Sequence, residues 1–277
     1  MRFAVGLPNV KEYADPRLLV DLAVTAEGAG WDGVFVWDHL LYRDGGAALN
    51  PWIAAAAVAQ ATSEIRLGVM VVALARRRPW NVAREAAALD ILSNGRLMFG
   101  AGLGSRDDEF KLFGENATPR VRAEKLDESL EIIAGLWSGR PFTYEGEHFQ
   151  IDEVLFVPTP LQTPRIPVLV AGRWPNRRPF RRAARWDGIF ATHEEVGHTE
   201  TMTVAQLTEI IEYTRSHRAE TTTPFEVVIE GQTSGPDSTF VTDYARAGLT
   251  WWVEKLGWFR GPLEEMKARI EAGPPRE

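Results

Sequence analysis

The neighbouring residues with the most evident chemical potential in this 277-residue chain are Asp38 and His39. They follow the apolar run at 33–36, which predicts a buried strand ending at these two side chains. Histidine exchanges protons near neutral pH, and a carboxylate beside it can assist. The pair predicts an acid–base site at a strand end. The alternative is that Asp38 caps the next segment while His39 only packs there.

Three glycines in the stretch FGAGLGS, at positions 100, 102 and 104, follow a later apolar run. Glycine at a strand exit lets backbone N–H groups approach a phosphate closely, although glycines in a barrel can also simply relieve crowding. A dinucleotide-binding fold would need a helix directly behind the glycines. The loop SRDDEFKLFGENATPR stands there instead, so that fold is disfavoured.

A third chemical candidate is Ala171-Gly172-Arg173, again at the end of an apolar run. Glycine together with arginine at a strand end suits a phosphate or another anion. A very basic segment follows, with arginines at 177, 178, 181, 182 and 185. Most of these are expected to face solvent or to pair with surface carboxylates.

Metal chemistry finds little support. The chain has no cysteine and five histidines, and no His-x-His stands on the first predicted strand. His193 and His198 are close in sequence, but no ligand set at other strand ends completes them. We therefore predict no metal site, and a metal-dependent barrel hydrolase remains a remote alternative.

The elements that must position these groups alternate regularly. Eight apolar runs are each followed by a helix-patterned segment, and the runs cover 2–7, 33–39, 65–73, 96–104, 167–172, 187–192, 225–231 and 249–256. Such runs are typical of parallel strands buried on both faces, and eight βα units in this length predict a (β/α)8 TIM barrel. Residues 139–166 predict a hairpin and loop inserted between strands four and five. In such barrels the active site lies at the carboxyl ends of the strands.

The composition of the chain argues against two classes of binding partner, nucleic acids and membranes. The net charge of −7 argues against nucleic acid or an anionic membrane, because both require a basic face. The longest apolar stretch, at 53–61, is about half of a membrane span, and no signal-peptide pattern opens the sequence. We expect a cytoplasmic protein.

Several stretches together resemble the luciferase-like monooxygenase family and its deazaflavin (F420)-dependent members. The matching pieces are GWDGVFVWDHL, IRLGVMVVALARRRPWNVAREAAALDILSNGRLMFGAGLGS, EFKLFGE, LWSGRPFTYEGEHFQI and PRIPVLVAGRWP. The pattern LDxLSxGRLxxGxGxG is a specific signature, and the resemblance covers roughly residues 1–192. It implies one luciferase-like barrel domain over residues 1–277.

The resemblance also implies a site. The family binds a reduced flavin-type cofactor with its ring at the barrel mouth, so His39 would stand by the reactive ring edge as proton donor or stabiliser, oriented by Asp38. A strand bulge at Met70-Val71, where the family commonly has a non-prolyl cis peptide, would support the ring face. The ribityl and phosphate end of the cofactor would be lined by Gly102, Leu103, Gly104, Ser105, Ala171, Gly172 and Arg173.

FMN and F420 share a ring skeleton and a phosphate, so the same loops suit either cofactor. The acidic oligoglutamate tail of F420 could meet Arg76, Arg77 and Arg78 or the arginines near Arg177. Reduced FMN would imply oxygen activation and monooxygenation, whereas F420 would imply hydride transfer.

We therefore expect an oxidoreductase or monooxygenase that acts on a small organic substrate. The resemblance favours a homodimer, and FMN chemistry would add a flavin reductase as partner. A non-catalytic flavin-binding barrel protein is the alternative from another class. The substrate pocket is expected from three loop regions, 40–50, 140–165 and 193–224.

Overall fold

A closed barrel of eight parallel strands organises the chain in the computed structural model, which describes residues 1–42, 45–116, 118–219 and 224–275. The strands, in chain order, are β1 (Arg2–Leu7), β2 (Gly33–Val36), β3 (Arg66–Ala73), β4 (Leu97–Gly102), β5 (Pro141–Glu145), β6 (Gln150–Leu155), β7 (Val168–Trp174), β8 (Gly188–His193), β9 (Glu226–Gly231) and β10 (Trp251–Lys255). All except β5 and β6 belong to the barrel, which closes where β1 pairs with β10. The predicted (β/α)8 barrel is confirmed.

Helices connect the barrel strands on the outside. They are α1 (Pro16–Gly28), α2 (Pro51–Ala61), α3 (Pro79–Leu92), α4 (Asp108–Lys111), α5 (Pro119–Leu136), α6 (Arg177–Ala183), α7 (Val204–Ser216), α8 (Val241–Ala247) and α9 (Leu263–Glu271). Helices α1, α2, α3 and α5 each begin with proline, whose fixed φ suits a first helical position that needs no N–H donor. Within the described parts of the chain, no helix combines the length and the apolar character needed to cross a membrane.

The barrel interior is filled by its own side chains. The inner layer is formed by buried residues from all eight barrel strands: Ala4, Phe35, Met70, Met98, Leu169, Phe190, Val228, Trp251 and Val253. The outward faces of the strands are buried beneath the helices in a second, larger cluster. Burial on both faces explains why the strands are nearly continuous apolar runs. It also leaves only the strand ends available for chemistry.

Arg96 secures the end of the barrel where the strands begin. Its guanidinium is buried and donates to the carbonyl oxygens of Ser93, Ile65, Ala59 and Thr62 at 2.7–2.9 Å. These bonds join the ends of α2 and α3 to the starts of β3 and β4. The arginine of the GRL motif therefore stabilises the fold at the end opposite the predicted site.

The predicted insertion is present as the β5–β6 hairpin, and it packs on the second half of α5. The carboxylate of Glu128 on α5 accepts hydrogen bonds from the backbone N–H groups of Glu147, His148 and Phe149 in the hairpin turn. Further along, Gln162 donates to the carbonyl of Leu97, the first residue of β4.

The insertion therefore lies along the outside of the barrel and at its amino-terminal face. A chain returning from a helix to the next strand crosses that face, so the expectation that residues 140–165 line the substrate pocket is wrong. Of the other two loop regions expected there, 40–50 and 193–224, residues 43–44 and 220–223 lie outside the described residues.

Candidate functional site

Asn9 fixes the start of the site where β1 ends. Its side chain is buried, accepts a hydrogen bond from the backbone N–H of Trp37 at 3.0 Å and donates to the carbonyl of Leu49 at 2.6 Å. Both partners lie in the segment that leaves β2. The bonds therefore hold the backbone immediately before Asp38 and His39 against the neighbouring strand end.

Asp38 is buried and held by two arginines that follow β3. Its carboxylate accepts from Nε and Nη2 of Arg77 at 2.9 and 2.7 Å and from the N–H of Ala73 at 3.0 Å, and Arg76 Nη2 lies 3.1 Å away. Burial alone would raise the pKa of Asp38, but the Arg77 bond and the two guanidinium charges hold it below its usual value. Asp38 thus joins the ends of β2 and β3. The expectation that it orients His39 is not met.

His39 is oriented instead by Glu109, the second residue of α4. The Nδ1 atom of His39 lies 3.0 Å from Oε1 of Glu109, and the same oxygen accepts from the N–H groups of Leu40 at 2.9 Å and Leu41 at 3.2 Å. The other carboxylate oxygen accepts from Nη1 of Arg76 at 3.0 Å. Glu109 is buried, whereas the His39 side chain keeps 18% of its surface exposed.

The charge state of Glu109 fixes the arrangement of hydrogens on His39. Burial alone would raise the pKa of Glu109, but its bond to His39 and the Arg76 guanidinium together hold it below its usual value. An ionised carboxylate only accepts hydrogen bonds, so Nδ1 of His39 carries the hydrogen between them. The Nε2 atom has no hydrogen-bond partner within the described parts of the chain and is the atom that can exchange a proton.

Arg76 connects the two carboxylates. Besides Glu109, it reaches the carbonyl oxygen of Asp38 at 2.6 Å, and its side chain is almost fully buried. Together with Arg77 it balances two buried anions with two cations, as buried charges require. Both arginines therefore pair with carboxylates of the chain itself. The expectation that they meet an acidic cofactor tail is not met. Their neighbour Arg78 is exposed.

Aromatic rings surround His39 on the side of β10. Trp37 and Tyr42 approach its ring edge-on, with centroids 6.1 and 5.7 Å away, and Trp258 lies 5.4 Å from Tyr42. His198 approaches Trp37 at 6.1 Å. The loops after β8 and β10 therefore bring rings toward the same strand end as β2, which produces an apolar wall beside the acid–base pair.

The peptide bond between Met70 and Val71 is cis, and the pairing of β3 with β4 shifts register between Val69 and Val72. The bulge and the cis bond implied for this position are confirmed. A Cβ atom added to Gly102 would lie 2.6 Å from Val71 Cγ2. Glycine at 102 therefore allows Val71 to lie across the barrel mouth.

The glycine loop after β4 offers backbone donors. Gly104 adopts φ +81°, a conformation that favours glycine, and packs against the ring of Phe110. The backbone N–H groups of Ser105 and Arg106 donate to no acceptor within the described ranges, and Ser105 is exposed. Leu103 is half-buried beside them. Such donors suit a phosphate, although the carboxylates of Asp107 and Asp108 stand close by and are paired with Arg122 and Arg106.

The second predicted phosphate segment divides between two faces of β7. Ala171 is half-buried and lies close to the Cβ direction of Gly102, while Arg173 is exposed and reaches the carbonyl of Glu194 at 3.4 Å. The Cβ direction of Gly172 instead points at the ring of Phe180 on α6, at 3.0 Å. Glycine at 172 is therefore explained by close packing of a helix.

Sequence reasoning missed Glu109 and Glu230, and it assigned Arg76 to a cofactor tail where the structure pairs it with Glu109 and Asp38. The carboxyl of Glu230 lies near the Cβ direction of Gly6, and burial raises its pKa against the opposing charge of Lys255. Glu254, in contrast, pairs with Arg260 in a buried contact outside the barrel interior. Glu109 opens the stretch EFKLFGE, which was one of the pieces that resemble the family. Only the structure shows that the loop after β4 brings this residue back to His39.

The residues present fit a flavin-type group. The bulged segment at 70–71 packs closely over Gly102, and the donors at 105–106 and Arg173 suit a phosphate at one end. Within the described ranges, no group of three or more His, Asp or Glu side chains could hold a metal ion.

Comparison with known proteins gives one family. A sequence model of the family described as luciferase-like monooxygenase matches residues 1–238. The chain is 36% identical over 175 residues to an F420-dependent hydroxymycolic acid dehydrogenase of Mycobacterium tuberculosis, covering 62% of this chain and 48% of that protein. It is 31% identical over 186 residues to the oxygenase component of a flavin-dependent trigonelline monooxygenase of Acinetobacter baylyi, covering 65% of this chain and 51% of that one. The chain thus spans about half the length of these curated relatives.

Solved structures share the fold. An F420-dependent secondary alcohol dehydrogenase, solved with an F420-acetone adduct, superposes with a TM-score of 0.81 and 16% identity, covering 98% of this chain and 96% of that one. At this identity the likeness concerns the barrel alone.

Proposed function

The chain belongs to the luciferase-like monooxygenase family, and from that premise we propose that it is an oxidoreductase that uses reduced FMN or F420 on a small organic substrate. The observation that carries the proposal is the His39–Glu109 pair at the barrel mouth, in which Nδ1 of His39 lies 3.0 Å from Oε1 of Glu109. Its relatives include one F420-dependent enzyme and one flavin-dependent enzyme.

When bound, the reduced cofactor supplies a hydride or activates oxygen. The chain's own contribution is to bind, to exclude water and to move one proton. His39 Nε2 is the atom that donates or accepts that proton, because Nδ1 is held by Glu109. The ionised Glu109 stabilises the imidazolium, and Arg76 holds Glu109 in place.

The remaining predicted contacts take supporting roles in the proposal. The backbone and side chains at 102–105, with Ala171 and Arg173, bind the ribityl and phosphate end, and Gly172 allows α6 to support this segment. Asp38 acts as a positioning residue rather than as a direct partner of His39. The proposal includes a cytoplasmic location and a homodimer, with a flavin reductase as partner if the cofactor is FMN.

A parallel titration tests the proposal: the purified protein is mixed with FMN, with FMN reduced anaerobically and with F420, and binding is followed by fluorescence and absorbance. We expect at least one of them to bind. A substrate screen with the bound cofactor then allows wild type to be compared with His39→Asn. The variant should keep its cofactor affinity and lose roughly 100-fold or more in turnover.

Each other outcome has a defined meaning. If none of the three binds, the cofactor assignment is wrong, and the metal-dependent barrel hydrolase becomes the hypothesis to test next. Binding without turnover on any substrate, for wild type and variant alike, indicates the non-catalytic flavin-binding barrel.

A further inference from the structure

The outer surface beside the glycine loops carries an unusual stripe of arginines. Arg178, Arg181, Arg182 and Arg185 are spaced i, i+3, i+4 and i+7, which places them on one side of α6 and its continuation. They line a groove of about 410 Å³ against α5, in which the other lining residue is Asp127. We call this the arginine groove.

One carboxylate serves the whole groove. Asp127 accepts from Arg182 at 2.7 Å at both of its oxygens and from Arg185 at 2.8 Å. Arg178 and Arg181 are exposed, and their guanidinium groups have no partner within the described ranges. Four cations facing one anion leave the groove strongly positive, although the chain as a whole carries −7.

The fold itself does not account for this arrangement. Cations in the first turn of a helix oppose its dipole, and like charges three or four residues apart repel each other. Helix α6 has seven residues, carries Arg177 and Arg178 in its first turn and has no acidic residue there. An anionic ligand would remove both penalties.

The helices on the two sides of the groove also contact the predicted phosphate end of the cofactor site. On the α5 side, Arg122 in the first turns of the helix donates to the carbonyl of Gly104 at 3.1 Å. On the α6 side, Phe180 packs directly on Gly172. The two helices that form the groove are therefore the two that support the two glycine segments, and an extended ligand leaving those segments would pass between them.

We propose that the arginine groove binds an oligo-carboxylate extension of the cofactor, which makes the acidic-tailed deazaflavin F420, rather than FMN, the cofactor of this protein. This rests on the proposed function, because it assumes that the ring and phosphate occupy the barrel mouth. Successive carboxylates of the tail pair first with Arg178 and Arg181. The phosphate and ring contacts are common to both cofactors, so the groove alone distinguishes them.

The test compares ligands that differ only in the tail. Dissociation constants are measured by deazaflavin fluorescence for F420 with several glutamates and for the form that ends at its phospholactyl group. We expect wild type to bind the tailed form more tightly, with a preference that shrinks as salt is raised because exposed pairs are screened. The double variant Arg178→Gln, Arg181→Gln should lose roughly two- to thirty-fold in affinity for the tailed form alone.

A matched variant controls for net charge. Arg17→Gln with Arg246→Gln removes the same two charges from exposed positions on α1 and α8. It should leave the tail preference unchanged. Thermal unfolding of both double variants checks that each is folded.

The outcomes separate the two proposals. Equal affinity for tailed and tail-free forms in wild type, or an equal loss in both double variants, overturns the groove and leaves the oxidoreductase standing. If FMN binds and neither deazaflavin form does, the groove assignment is wrong and the protein is an FMN-dependent oxidoreductase. If nothing binds, the cofactor site and the groove fail together.

Discussion

The arginines that follow β3 and those on α6 differ in burial and in the number of carboxylates around them. Arg76 and Arg77 follow β3, are largely buried, and pair with Asp38 and Glu109. Arg178 and Arg181 on α6 are exposed and lack such partners in the described ranges. In sequence the stretches ARRRP and NRRPFRRAAR look alike.

The comparison shows that the role of an arginine depends on how many carboxylates the fold brings within contact of its guanidinium group. On the β3 side, one acidic residue from the segment after β2 and one from α4 converge on the guanidinium groups and neutralise them. On the α6 side a single carboxylate, Asp127, is shared. The first set therefore holds the backbone and side chains around His39 in place, and the second retains the positive charge on which the proposed tail site depends.

The largest expected effect is on stability when the buried set is broken. Arg76→Leu leaves Asp38 and Glu109 buried with one cation fewer, so the free energy of unfolding should fall by about 3–5 kcal/mol. Denaturant unfolding measures it. The adjacent, exposed Arg78→Leu is the control and should change stability by less than about 0.5 kcal/mol. Similar losses in both variants would contradict the distinction between buried and exposed arginines.

Glu109→Gln should lower turnover more strongly than stability at acid pH. The amide oxygen can still accept from His39 Nδ1, but its NH2 group then faces the Arg76 guanidinium, so the folded state should also lose stability at neutral pH. Because the amide carries no charge to stabilise the imidazolium, turnover should fall roughly 100-fold with cofactor affinity little changed. The pH–rate profile should also move to lower pH, because the lost carboxylate charge no longer favours the protonated ring, a change that a purely structural residue would not produce. Asp108→Asn serves as control, because it alters a half-buried neighbour that pairs with Arg106 and can still accept from the N–H of Glu109 through its amide oxygen. An unshifted profile in Glu109→Gln would remove Glu109 from the acid–base pair.

The same variant gives a smaller, pH-dependent difference in stability. The pKa of Glu109 is lower in the folded protein than its usual value, so ionisation stabilises the folded state at neutral pH. That stabilisation should fade as the pH falls below about 4.3, the usual carboxyl value, toward the lower folded one. We expect the unfolding free energies of wild type and Glu109→Gln to converge in acid. A constant gap from pH 7 to pH 3 would contradict the lowered pKa.

The smallest expected effect belongs to the exposed set. Replacing Arg178 and Arg181 by glutamine relieves their mutual i, i+3 repulsion and their i, i+4 repulsions with Arg182 and Arg185, so stability should stay constant or rise by about 0.2–0.5 kcal/mol without ligand. Denaturant unfolding under the same conditions as for Arg76→Leu checks this. A loss of stability would show that these arginines support the fold after all.

The sequence predicted the barrel well because its signal is local. Each strand is an apolar run buried on both faces, and period and length suffice to recognise it. The cis-bonded bulge at Met70-Val71 came from the family resemblance, since no local propensity indicates it. The hairpin was also predicted, but its location was not, because that depends on which end of the barrel α5 reaches.

The partner of His39 could not be predicted in the same way. Asp38 is adjacent in sequence, but its side chain points toward Arg77. Glu109 lies seventy residues from His39 and meets it only because the loop after β4 folds back over the mouth. Contacts of this kind depend on tertiary structure, and residue spacing carries no trace of them.

The position of the β5–β6 hairpin has a practical consequence. The chain contains no cysteine, so Glu153→Cys on the exposed strand β6 would introduce a unique thiol. Barrel strands of about six residues hold the two faces roughly 20 Å apart. Immobilising the protein through this thiol would attach every molecule at the same place away from the mouth, and a sensor chip prepared in this way could record ligand arrival without obstructing it.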